Sequence, residues 1–120
     1  MARSRIALAA SFERNLEAMR LFLEQSGAPP GVYDEVVNTI VGRLFPLLED
    51  HPRAGRDWLR NPPPTESGQL LQRHLLAKLE GRRELRELVL DRLLMLYAIE
   101  GNTVTLLALR HHRQLGFELG

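Results

Sequence analysis

The stretch that decides the fold is Leu93-Leu94-Met95-Leu96-Tyr97-Ala98-Ile99-Glu100-Gly101-Asn102-Thr103-Val104-Thr105-Leu106-Leu107-Ala108-Leu109. Its first seven residues form a nearly continuous apolar run, and Thr103-Val104-Thr105 opens a second run with strong β-formers. Between them, Glu100-Gly101-Asn102 has turn chemistry. Glycine and asparagine tolerate the positive φ of a tight primed turn, so the two runs predict a β-hairpin. Immediately upstream, residues 84–92 alternate, with Leu85 and Val89 on one face and Leu88 and Leu90 on the other. The expectation is a three-stranded antiparallel meander.

Nearer the N-terminus the period changes. Arg5-Ile6-Ala7-Leu8-Ala9-Ala10-Ser11 reads as a short strand, with Ser11 placed to cap a helix. The opening residues resemble a secretory leader, but the apolar stretch is short and runs straight into charged Glu13 and Arg14, as in a folded domain. Phe12, Leu16, Met19 and Leu23 recur at steps of four, three and four, which predicts a helix from Ser11 to Gln25. Ser26-Gly27-Ala28-Pro29-Pro30-Gly31 ends it. A second helix starts near Val32, with Val36, Val37, Ile40, Val41, Leu44, Leu47 and Leu48 in register, and Pro46 is expected to kink or end it near Phe45. The two helices predict an antiparallel helical hairpin. From Asp50 to Gly68, His51-Pro52 and Asn61-Pro62-Pro63-Pro64 read as a connecting loop containing Trp58, followed by a shorter helix from Gly68 to Gly81. The fold class is therefore α+β: an N-terminal strand, a helical hairpin, an inserted short helix and a C-terminal meander, in one domain of 120 residues.

Hydrophobic residues make up 44% and charged residues 26%, the profile of an ordered domain. No apolar run is long enough to span a bilayer. Without cysteine there is neither a disulfide framework nor a thiolate metal site, which is compatible with a reducing cytoplasm. The net charge of +1 sets up no strong global field. Lys78 is the only lysine, so arginine supplies almost all the positive charge. Arginine offers a planar fork of donors for carboxylates and phosphates, although codon usage accounts for the bias as well.

Common enzyme signatures are missing: no Walker loop, no Gly-x-Gly-x-x-Gly, no Gly-x-Ser-x-Gly and no His-Glu-x-x-His. Adjacent His111 and His112 would point to opposite faces of a strand and could not share a metal, and no cofactor is implied. The best candidate for function is Arg110-His111-His112-Arg113-Gln114. Period two pairs Arg110 with His112 and His111 with Arg113, and either pair could hold a phosphate or an acidic peptide. The competing reading is a solvated strand end. Arg86 is a second candidate, or a surface residue paired with Glu84 or Glu87; Tyr97 reads as a core residue with its hydroxyl at the rim.

Four segments resemble the RelE/ParE toxin superfamily. His51-Pro52-Arg53-Ala54-Gly55-Arg56 is similar to the family's Pro-x-x-Gly-Arg segment, and Arg86-Glu87-Leu88-Val89-Leu90 to its Arg-x-Leu strand. Leu96-Tyr97-Ala98-Ile99 with Asn102-Thr103-Val104 is similar to its tyrosine hairpin. Ala108-Leu109-Arg110-His111-His112-Arg113-Gln114 is similar to its terminal strand. The likeness covers residues 5–56 and 84–117, and residues 57–83 depart from it as an insertion.

The resemblance implies a cytoplasmic toxin of a type II toxin–antitoxin system, neutralised by a cognate antitoxin. ParE-like members inhibit DNA gyrase through an interface; RelE-like members are endoribonucleases that cut mRNA on the ribosome. Partner-binding residues would be Arg56, Arg86, Arg110, His111, His112 and Arg113. A ribonuclease would rely on Arg86, Arg113, His112 and Tyr97. The lack of a lysine cluster and of a placed general base favours the ParE-like expectation, with an inert member that binds only an antitoxin as a further alternative.

Overall fold

The protein is described from a computed structural model, which covers residues 3–57, 65–79 and 84–111. In chain order the elements are β1 (Arg5–Leu8), α1 (Ala10–Gln25), α2 (Val32–Thr39), a π-helical turn at Ile40–Leu44, α3 (Phe45–Asp50), β2 (Arg56–Asp57), α4 (Glu66–Leu79), β3 (Glu84–Leu90), β4 (Leu93–Glu100) and β5 (Thr103–His111). The class is α+β, as expected. The meander, however, is not a sheet of its own. It forms the larger part of a five-stranded sheet ordered β1-β5-β4-β3-β2. β1 joins β5 in parallel, and two-residue β2 joins β3 antiparallel. Composition hid β2, because prolines on either side of it argue for loop and only a sheet edge tolerates so short a strand.

The hairpin forms where the turn chemistry placed it, with Gly101 at φ 59°. The register then separates two faces. Leu93, Met95, Tyr97 and Ile99 of β4 share one face with Val104, Leu106 and Leu109 of β5, and all are buried in the core with Phe12, Met19, Leu23, Val36, Ile40, Leu44 and Leu48 of the helices. Leu85, Leu96, Ala98 and Ala108 are buried on the other face. Burial on both sides is why the Leu93–Ile99 run is continuous rather than alternating.

A β-bulge makes this face assignment possible. Pairing steps from Leu96↔Ala108 to Tyr97↔Leu106, which leaves Leu107 as the extra residue of β5. Strict alternation from Leu106 would have brought Ala108 to the helix side; the extra residue brings Leu109 instead. β1 ends at Leu8, so beyond it the outer backbone of β5 takes partners from α1. Asn15 Oδ1 accepts from the Leu109 amide at 2.8 Å, and Ser11 Oγ donates to the Leu107 carbonyl. Ser11 is thus no helix cap: α1 begins at Ala10 behind Ala9 with no side-chain cap, and the hydroxyl is spent on the bulge.

The helical run from Val32 is likewise more extended than its proline suggests. It continues to Asp50, and the irregularity falls at the π turn, upstream of Pro46. The wider turn restarts the α-helix at Phe45, so Pro46 lies in a first helical turn, where a missing N–H costs nothing. α4 lies within the expected insertion and begins at Glu66, two residues before the expected start at Gly68; the expected end at Gly81 falls outside the described residues, as does Trp58.

Candidate functional site

Three of the segments singled out in the sequence meet at the β2 edge of the sheet. Gly55 sits against β3, close enough that a Cβ there would lie 2.7 Å from the Glu87 carbonyl oxygen and 2.8 Å from the Tyr97 hydroxyl. Only glycine permits this approach. The Gly55 amide donates to the Tyr97 hydroxyl at 2.8 Å, and that hydroxyl donates onward to the Pro52 carbonyl, also at 2.8 Å. Arg86, opposite Tyr97 in the register, donates to the Gly55 carbonyl and pairs with Glu84 at 3.1 Å. The loop from Pro52 to Gly55 is therefore fastened to the sheet by two side chains from different strands.

This geometry fixes what Tyr97 and Arg86 can do. Tyr97 is fully buried, and burial pushes its phenol above the ordinary tyrosine range, against the opposing effects of the Gly55 amide and the Arg86 charge. A neutral hydroxyl is what the bond to Pro52 requires, so the group is not poised to accept a proton. The Arg86 side chain is 15% exposed and turned inward, and its Nε has no hydrogen-bond acceptor. The surface-facing alternative for Arg86 is corrected here: the pairing with Glu84 is present, but the residue belongs to the interior of the loop junction. Its phase in β3 put it beside Tyr97, and only the arrival of the Gly55 loop covers it.

The outer layer of the edge is where positive charge meets solvent. Arg53 and Arg56 are 66% and 54% exposed, and each is oriented by a carboxylate of β3. Arg53 Nε lies 3.1 Å from Glu84, and Arg56 reaches Glu87 at 2.6 Å. Glu84 thus serves both Arg53 outside and Arg86 inside. The sequence reading named Arg56 as partner-binding, quoted Arg53 and Gly55 only as part of the loop segment, and weighed Glu84 and Glu87 as partners of Arg86 but not of Arg53 and Arg56. A glycine inside a basic, proline-led loop was the available signal for close backbone approach.

The terminal segment divides. Arg110 is half-buried, opposite Leu94, whereas His111 is opposite Leu93 on the helix side and only 5% exposed. Both expectations for this segment, a partner-presenting group or a solvated strand end, put His111 in solvent, and that is corrected: it follows Leu109 in phase, and the bulge commits both to the helix layer. It lines a cleft with Val32, Glu35, Val36 and Thr39 of α2 and with Asp91, Arg92 and Leu93 at the β3–β4 turn. His112 and Arg113 fall outside the described residues. No helix among the described residues is long and apolar enough to cross a membrane. No protein-family model matches the chain, and no curated protein matches it.

Proposed function

We propose that this chain is the toxin of a type II toxin–antitoxin system, of the ParE-like kind, which holds DNA gyrase through a protein interface and is silenced in the cytoplasm by a cognate antitoxin. The observation that carries the reading is the junction at Gly55. The Pro52–Arg56 loop is far in sequence from the adjacent Arg86 and Tyr97 strands, yet it is joined to both by direct hydrogen bonds. These are three of the four segments that resemble the superfamily, and a shared structural unit is a physical reason for them to occur together.

The same junction favours binding over RNA cleavage. Two of the groups a ribonuclease would use, Arg86 and Tyr97, are occupied in holding the loop. Exposed arginines with fixed orientation, Arg53 and Arg56, are suited to charge-assisted contacts with a protein partner.

Induced expression in a susceptible bacterium tests the proposal. Growth arrest with DNA damage and intact messages is expected. Absence of any growth defect would overturn the toxin assignment, and rapid cleavage of ribosome-bound messages, abolished by Arg113→Ala, would replace gyrase inhibition with ribonuclease action. Paired Arg53→Ala and Arg56→Ala substitutions are expected to weaken the arrest while leaving the circular dichroism spectrum unchanged.

A further inference from the structure

We draw no further inference here: the strongest candidate, the cleft of about 330 Å³ between α2 and the β3–β4 turn, lined by Val32, Val36, Leu93 and His111 with exposed charge of both signs in Glu35 and Arg92, carries nothing because nothing in the structure shows what covers it.

Discussion

At the β2 edge, a glycine, a tyrosine hydroxyl and an inward arginine are joined so closely that a Cβ added at Gly55 would have to displace its neighbours. At the β3–β4 turn, a few residues further along the same strand, the construction is loose. Val89 is 63% exposed, and Asp91 takes φ 54° and is held to the helical layer by one surface pair, Arg43–Asp91, at 2.7 Å. Both regions contain arginine–carboxylate pairs, so the pairs do not make the difference. What differs is burial: a hydrogen bond shielded from water is costly to break because its partners lose solvation as well as each other, whereas an exposed ion pair is replaced by water at little cost.

The contrast predicts a graded set of substitutions. Gly55→Val should be the most damaging, costing about 3 kcal/mol, since the new side chain meets backbone on one side and the tyrosine on the other. Urea unfolding would measure it, and a loss below the noise of the measurement would show that the loop can lift away freely. Tyr97→Phe keeps the ring in the core but strands the Gly55 amide and the Pro52 carbonyl, and about 1–3 kcal/mol should be lost in the same assay.

Alkaline titration sharpens the same point. Because burial raises the Tyr97 phenol, the folded chain keeps that proton in a range where the unfolded chain, with a phenol near pH 10, has released it. The resulting stability is complete below about pH 10 and is lost as pH rises through the raised folded value. The denaturation midpoint should therefore fall more steeply above pH 10 in the parent protein than in Tyr97→Phe. Parallel profiles would mean that the hydroxyl is not shielded.

The loose region should respond weakly. Arg43→Ala is expected to cost less than about 1 kcal/mol, with most of the effect gone in high salt, because both partners are more than half exposed. Gly42→Ala provides the smallest effect and the reverse sign. A Cβ there meets nothing within 4 Å, so restricting the unfolded chain should raise stability by about 0.5 kcal/mol. If Gly42 and Gly55 proved equally intolerant, the distinction between the regions would fail.

Several of these features were legible in the sequence because they depend on local periodicity. The spacing of Phe12, Met19 and Leu23 marked the buried side of α1, and Gly101-Asn102 marked the hairpin. Others depend on contacts that no local period encodes. The parallel pairing of β1 leaves no trace in Arg5–Leu8 itself, since a short apolar run suits either direction. The extra residue at Leu107 cannot be read from a run in which every neighbour is apolar, and it decides the face of His111. Arg86 illustrates the general case for the candidate site: alternation gave its face, but only the loop arriving from Gly55 determined that it would be enclosed.

The parallel pairing has a kinetic side. Arg5 aligns with Thr103 and Leu8 with Leu106, so the two strands that meet are separated by nearly the whole described chain. Pairs so distant raise the contact order, and closing the intervening loop must precede any gain from joining its ends. During synthesis, β1 leaves the ribosome long before its neighbour exists, and the helices can form while the central sheet is still missing its last strand. Folding should therefore complete late, with the N-terminal strand docking only after Thr103 to Leu106 have emerged.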